Sequence, residues 1–191
     1  MLQPVLQTLE SIDLWLFKAL TPMHSGWIDM LMSWISISGT GSAIWVIIGL
    51  VALRRHSTGP AAWRLLLTLL LCYVTVDLVL KPIVARARPP AIRAYDPPRA
   101  VSAVPRSQSF PSGHTAAAFG AAAALSRMWP GYRVLWWTLS TAMGYSRIYL
   151  GHHYPLDVAA GAVVGWLVAL WVLGGQHPAT YARASPPTVR V

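Results

Sequence analysis

Three short clusters in the chain carry side chains that could do chemistry together. Each cluster lies where an apolar run of sequence meets a loop, and all three reach one face if those runs are helices crossing a bilayer. Their side chains could therefore act on one ligand. The clusters are Lys81 to Arg88-Pro89, then Pro111-Ser112-Gly113-His114, then Ser146-Arg147 with His153 and Asp157.

The first group of candidates could bind a tetrahedral anion such as phosphate. Arg88 and Arg147 offer forked donors, and Lys81 offers a point charge. Ser112 and Gly113 lie at the start of an apolar run, where free backbone N–H groups and the helix dipole favour an anion. These five residues are the predicted phosphate-binding set.

The histidines could supply the other roles in a displacement at phosphorus. A neutral His153 can attack phosphorus, and Asp157 can hold its other ring nitrogen and stabilise the positive charge that develops. His114 can protonate the leaving oxygen. On chemistry alone His152, beside His153, could equally be the nucleophile. Together these residues would suffice for phosphoryl transfer without a metal.

Taken singly, several of these residues also have a structural interpretation. Lys81 can pair with Asp77, four residues earlier, at the end of a helix. A histidine at a helix start, such as His114, is more often structural than catalytic. Asp157 can cap a helix that opens at Pro155. The catalytic interpretation depends on the three clusters occurring together.

The segment 81–113 is unusually long for a loop and carries six of the fifteen basic residues. Loops of this length without regular structure are usually functional or disordered. Four of its arginines are interpreted as surface charges that meet lipid headgroups: Arg86, Arg93, Arg99 and Arg106. For Arg86, Arg93 and Arg106, the alternative is contact with a second phosphate of the substrate.

The composition indicates a membrane protein. Of 191 residues, 55% are hydrophobic and 11% charged, and 15 Lys+Arg face six acids. This excludes a disordered chain, a water-facing bundle and a metal cage of many carboxylates. The cationic excess suits anionic lipids or a phosphate-bearing substrate, and nucleic acid is not an expected partner. Because Cys72 is the single cysteine, no disulfide framework or thiol metal site is predicted, and no cofactor is expected.

The predicted fold class is all-α, a polytopic transmembrane helical bundle. Five apolar runs approach the roughly 20 residues that cross a bilayer, and a break is expected within the first, at its small polar stretch 38–42. Residues 2–20 show amphipathic spacing and are expected to form a helix in the interface, or else a sixth span. The five runs are Ile28–Leu53, Leu65–Leu80, His114–Met128, Val134–Leu150 and Leu156–Gly174.

These runs predict one membrane-embedded domain over residues 1–175, followed by a polar tail, 176–191, that is expected to be disordered. Lys and Arg are divided about equally between the two faces, so their count does not decide the orientation. If the cations near the motifs are held for chemistry, the opposite face is cytoplasmic. The site would then open on the periplasmic or outer side of the cell membrane. Nothing in the sequence indicates an oligomeric state.

The three clusters resemble the signature motifs of the type 2 phosphatidic acid phosphatase (PAP2) superfamily, which also contains vanadium haloperoxidases. The family pattern is Lys, six residues, Arg-Pro; then Pro-Ser-Gly-His; then Ser-Arg, five residues, His, three residues, Asp. Residues 81–157 reproduce the three motifs in order, with their internal spacings intact.

The resemblance implies a role for each candidate residue. His153, rather than His152, would be the nucleophile that forms a phosphohistidine, with Asp157 as its partner. His114 would be the general acid, and no metal would be needed. The phosphate would be bound by Lys81, Arg88, Ser112, Gly113 and Arg147.

The resemblance also implies a small bacterial membrane lipid phosphatase. Its substrate would be undecaprenyl diphosphate, phosphatidate, phosphatidylglycerol phosphate or a lipid A phosphate, and the chain looks most like the undecaprenyl diphosphate phosphatases. Two alternatives remain open. One is a phosphotransferase on the same scaffold, and the other is a non-enzymatic protein that binds or transports lipid headgroups.

Overall fold

The described part of the chain is mostly helical. A computed structural model describes residues 2–21, 26–55, 57–89 and 107–174. Within these ranges there is no strand, which confirms the all-α class. The tail 176–191 and Arg93, Arg99 and Arg106 lie outside them. The helices are α1 (Leu2–Leu20), α2 (Gly26–Ser38), α3 (Ala43–Leu53), α4 (Gly59–Tyr73), α5 (Lys81–Val84), α6 (Gly113–Met128), α7 (Arg133–Tyr149) and α8 (Pro155–Leu173).

Fewer of these helices can cross a membrane than the sequence predicted. By length and hydropathy, Ala61–Val84 and α8 qualify, and the bent pair of α2 and α3 adds a third if it is one span. Within the described ranges, two or three of the five or six predicted spans therefore have the length and hydropathy of a membrane span. The reason is that α6 and α7 have only 16 and 17 residues. The apolar residues of α6 face the interior of the protein more than its surroundings.

The helical rod that contains Lys81 is longer than the predicted span, which ended at Leu80. Helix α4 passes through a π-helical stretch, Val74–Leu80, directly into α5, so the rod continues to Val84. Pro82 follows the π-helical stretch directly, at the second residue of α5, and the rod continues past it. Lys81 is consequently buried within the rod rather than at its exposed end.

The predicted break in the first apolar run is confirmed. Helices α2 and α3 meet at an angle of 55° across a short 3-10 turn, Thr40–Ser42. Gly41 and Ser42 both have positive φ, at 58° and 60°, which turns the chain out of the α-helical path. Gly39, Gly41 and Ser42 at this break line the cavity described below.

Helix α6 forms the centre of the bundle and packs against α4, α7 and α8. Its alanines, from Ala116 to Ala124, are buried. Small residues allow the backbones to approach closely. A Cβ atom built on Gly165 of α8 would lie 2.0 Å from the carbonyl oxygen of Ala116. One built on Gly161 would lie 2.5 Å from that of Ser112, so α8 contacts the start of α6 directly.

The N-terminal helix has the bounds that its amphipathic pattern predicted, Leu2–Leu20. It contacts α7 and α8 through a buried face that includes Asp13 and Phe17. Its opposite face exposes the large apolar side chains of Leu9, Ile12 and Trp15. A location in the membrane interface stays a prediction. The buried carboxylate of Asp13 connects this helix to the candidate site.

Candidate active site

The three sequence clusters meet at one end of the bundle, around a cavity of about 520 Å³. The cavity is bounded by α5, the start of α6, the end of α7 and the loop before α8. Asp77 and the break between α2 and α3 also line it. Six of the eight predicted site residues contribute to its wall: Lys81, Arg88, Gly113, His114, Arg147 and His153.

The geometry around His153 determines which of its ring nitrogens is free to react. Arg88 Nη1 lies 3.2 Å from Nε2 of His153. A guanidinium can only donate, so Nε2 must be the unprotonated nitrogen and the ring proton must be on Nδ1. Nδ1 lies 3.5 Å from Asp157 Oδ2, longer than a usual hydrogen bond but close enough for a strong electrostatic interaction. The lone pair of the ring therefore lies on the nitrogen that faces the cations.

His153 is held in its neutral form. Its pKa is lowered to about 4, first because burial disfavours the charged ring and also because Arg147 and Arg88 repel a positive charge there. Asp157 opposes this shift. At neutral pH the imidazole is thus neutral, with one ring nitrogen unprotonated, which is the state a histidine needs to act as a nucleophile.

Arg88 forms hydrogen bonds with the segment that precedes α6 and with the loop that precedes α8. Its Nη1 donates to the carbonyl oxygen of His152 at 2.6 Å, and its Nε donates to that of Ser107 at 2.7 Å. Further bonds reach the hydroxyl of Ser107 and the carbonyl of Gln108. These contacts fix the guanidinium beside His153 before any ligand binds.

Apart from His153, two cavity-lining side chains have a buried polar atom without a hydrogen-bond partner among the residues that the structure describes. They are Nε of Arg147 and Nε2 of His114. The other end of the Arg147 guanidinium is held by a hydrogen bond from Nη1 to the hydroxyl of Ser36 on α2. Unpaired buried groups are costly, and a phosphate oxygen in the cavity could satisfy them.

Lys81 pairs with Asp77, the structural interaction that its spacing allowed, and both residues also line the cavity. Asp77 was missed as a site residue. A Cβ atom on Gly113 would lie 3.0 Å from Asp77 Oδ2, so a glycine at this position lets the carboxylate approach the start of α6. The available sequence signal was the four-residue spacing to Lys81, which was assigned only to the end of a helix.

Ser112 does not line the cavity. Its backbone N–H donates to the carbonyl oxygen of Asp157 at 2.9 Å. Its hydroxyl accepts hydrogen bonds from the backbone N–H and the hydroxyl of Thr115, and so caps α6. Because the N–H that was predicted to meet phosphate is already paired, Ser112 joins α6 to α8 instead. Gly113, the next residue, is the one that reaches the cavity.

Asp157 combines the two roles that the sequence left open. It caps α8, because its Oδ2 accepts a hydrogen bond from the backbone N–H of Tyr154 at 2.9 Å. It also lies beside His153 and accepts a hydrogen bond from the Ser109 hydroxyl. The carboxylate is fully buried and does not line the cavity, whereas His153 beside it does.

The interpretation of Arg86 as a surface charge is wrong. Its Nη1 lies 2.5 Å from Asp157 Oδ1 and its Nη2 lies 2.7 Å from Asp13 Oδ2. The guanidinium also lies over the ring of Tyr154, 4.3 Å from its centroid. Two buried carboxylates hold it, so contact with a headgroup or a second phosphate would require breaking both pairs. Asp13 was missed as well, since no local pattern connects residues so far apart in the chain.

Comparison with known proteins agrees with this geometry. The sequence profile of the PAP2 superfamily matches residues 61–181, more than half of the chain. The chain belongs to the PAP2 superfamily. This PAP2 match contains all three clusters and every predicted site residue. Among the described residues of this PAP2 protein, no group of three or more His, Cys, Asp or Glu side chains could hold a metal ion.

Relatives of this PAP2 chain include a bacitracin transport permease protein, BcrC, of Bacillus licheniformis, 48% identical over 34% of this chain and 32% of that protein. An undecaprenyl-diphosphatase of Sulfolobus acidocaldarius is 27% identical over 82% of this chain and 73% of that protein. The aligned part covers between 32% and 41% of the length of the first curated relatives it matches.

A solved structure of the same superfamily has the same fold. It is a transmembrane PAP2-type phosphatidylglycerolphosphate phosphatase from Bacillus subtilis, with a TM-score of 0.68 and 26% identity over 87% of this chain and 85% of that one. Together with the apolar helices, this likeness identifies the chain as a helical membrane protein.

Proposed function

We propose that this PAP2 protein is a metal-independent phosphatase of membrane lipid phosphates that acts through a phosphohistidine on His153. One observation carries the proposal: the unprotonated Nε2 of a neutral, buried histidine faces a cavity that also contains three cationic side chains. The three cations, Lys81, Arg88 and Arg147, provide the charge that a phosphoryl group requires.

The cavity has an apolar wall that suits a lipid. Away from the cations it is lined by Val46 of α3 and by Leu66, Leu69, Leu70 and Tyr73 of α4. A phosphate group at the polar end would leave the attached hydrocarbon against this wall. Burial of that chain would contribute roughly 0.8 kcal/mol for each CH₂ group removed from water. The combination favours a lipid phosphate over a small water-soluble ester.

The proposed reaction has two steps. Nε2 of His153 forms a bond to phosphorus while the bond to the lipid oxygen breaks, and His114, which enters this step as the protonated imidazolium, gives its extra proton to that oxygen and becomes neutral. Asp157, beside Nδ1, stabilises the positive charge that develops on the ring. In the second step His114 takes a proton from water, whose oxygen attacks the phosphohistidine and releases inorganic phosphate. His153 returns to its neutral form.

The substrate is proposed to be undecaprenyl diphosphate, phosphatidate or phosphatidylglycerol phosphate. The relative from Sulfolobus acidocaldarius supports the first and the neighbour from Bacillus subtilis supports the third. The test is phosphate release by the purified protein in detergent across these three lipids, with and without EDTA. We expect release from at least one lipid, unchanged by EDTA because three side-chain cations bind the phosphate. Absence of release from all three, or a strict need for Mg²⁺, would refute the proposal. Transfer of the phosphoryl group to an added alcohol instead of water would identify a phosphotransferase.

The site is proposed to open on the outer face of the cell membrane. The start of α6 lies at the site end of the bundle, and the turn Pro130–Tyr132 follows its other end. Introduced cysteines at Gln108, at the site end, and at Tyr132 can be compared in intact cells with a membrane-impermeant maleimide. Labelling is expected for Gln108→Cys in intact cells and for Tyr132→Cys only after permeabilisation. The reverse pattern would place the site on the cytoplasmic face.

A further inference from the structure

We infer that Arg86 and Asp13 are positioning residues for catalysis, which hold Asp157 and set the charge that it presents to His153. This inference rests on the proposed function. It makes the N-terminal helix α1 a part of the active site, although α1 does not line the cavity. Asp13 lies outside the three motifs, and Arg86 occupies one of the six unspecified positions of the first.

The geometry is that of one cation shared between two carboxylates. The two terminal nitrogens of Arg86 reach different residues, Asp157 at 2.5 Å and Asp13 at 2.7 Å. Both carboxylates are fully buried, with 0% exposure. The ring of Tyr154 covers the guanidinium. A buried carboxylate is stable only when it is paired, and Arg86 is the cation that forms an ion pair with both acids.

Asp13 also holds the end of the helix that carries Asp157. Its Oδ1 accepts a hydrogen bond from the backbone N–H of Leu156 at 2.9 Å, in the first turn of α8. Such N–H groups have no partner within the helix itself. Asp13 therefore fixes both Arg86 and the residue that precedes Asp157. The position of the carboxylate beside His153 depends on α1 through two separate contacts.

The two positioning residues act on His153 in opposite directions. Arg86 neutralises part of the charge on Asp157, and Asp13 in turn neutralises part of the charge on Arg86. Removing the arginine would leave more negative charge near Nδ1 of His153, which favours the protonated ring. Removing the Asp13 charge would leave Arg86 to neutralise Asp157 more fully, which favours the neutral ring. A purely structural role would not produce effects of opposite sign.

The other charged and titratable groups around His153 are the same in every variant. Asp157 faces it from α8, Arg147 from α7 and Arg88 from the segment after α5. His152 precedes it, and His114 lies on α6. The substrate and its ionisation are also the same for every variant. A difference between variants in the pH dependence of kcat/KM is therefore due to the substituted residue.

The experiment compares Arg86→Gln and Asp13→Asn with the wild type in the acidic limb of the pH profile of kcat/KM. We expect the limb to move to higher pH in Arg86→Gln, by about one unit. It should move to lower pH in Asp13→Asn. At neutral pH kcat should fall by about tenfold or more in Arg86→Gln, because Asp157 loses its orientation. Arg127→Gln, at the opposite end of the bundle, is the matched control and should leave the limb unchanged.

The outcomes separate this inference from the proposed function. Arg86→Lys retains the charge without the fork, so it should restore the position of the limb but only part of kcat. If Arg86→Gln does not fold, the shift in Asp13→Asn and the profile of Arg86→Lys still decide the matter. If the wild type is active but the acidic limb of the folded variants does not move, or moves in the same direction in both, the inference is overturned and the proposed function is not. A wild type that releases no phosphate from any lipid would refute the proposed function and this role with it.

Discussion

Replacing His153 with alanine is expected to lower kcat/KM for phosphate release by about 10⁴-fold or more, as removal of a covalent nucleophile does in other enzymes. The matched control is His152→Ala, which should stay within about tenfold of the wild type. Both histidines are buried and adjacent, but His152 does not line the cavity. Its contacts with Arg88 and Arg147 use its backbone carbonyl and N–H, which alanine retains.

The measurement is initial rates on the preferred lipid, with gel filtration in detergent to show that both variants are folded. His153→Ala with near-wild-type activity would rule out this histidine as the nucleophile. Loss of activity in His152→Ala with retention in His153→Ala would reverse the assignment and favour the alternative that the sequence chemistry left open.

Replacing Gly165 with valine is expected to have the largest effect on stability. A Cβ atom there would lie 2.0 Å from the carbonyl oxygen of Ala116, so α6 and α8 would have to separate. Overpacking of this kind costs about 3 kcal/mol. For a protein of this size that corresponds to a fall of roughly 10 °C in Tm. Because α6 and α8 also carry the site, activity should fall with it.

The control is Ala159→Val, the same kind of enlargement on the exposed side of α8. Thermal unfolding in detergent should show a Tm close to that of the wild type for this variant. Equal Tm values for Gly165→Val and the wild type would show that the helices do not pack as closely at Gly165 as the structure indicates.

The candidate site was largely predictable because its residues lie in three local patterns. The spacing from Arg147 to His153 to Asp157 is short, and helix geometry brings such residues onto one end of the bundle. Each cluster lies where a helix ends at a loop, and the order of the helices along the chain predicted that these ends lie on one face of the bundle. These features depend on neighbours in the chain, and the structure brings six of the eight predicted residues to one cavity.

The pairing of Arg86 with Asp13 could not be predicted in the same way. The two residues are 73 positions apart, and the contact depends on how α1 packs against α8. Asp13 could be assigned to the polar side of an amphipathic helix, where an acid is ordinary. Its burial is a consequence of tertiary structure, and only the packed structure shows that this acid has a buried arginine as its partner.

The number of spans could not be determined from the sequence for a related reason. Hydropathy does not distinguish a helix that faces lipid from one that faces other helices. Ten of the sixteen residues of α6 are buried within the protein, and most of them are alanines. The contact of Ser112 could not be predicted for the same reason. Its N–H was expected to be free at a helix start, but it donates to the carbonyl oxygen of Asp157 on α8.

The most direct test of the central claim is to trap the phosphorylated enzyme. The protein would be mixed with a lipid phosphate radiolabelled in the phosphoryl group, quenched with alkali within one turnover, digested and mapped. A phosphorus–nitrogen bond survives alkali and is broken by acid. We predict an alkali-stable, acid-labile label on the peptide that contains His153, present in His152→Ala and absent in His153→Ala. Release of phosphate without any labelled enzyme, or a label on another residue, would contradict the account.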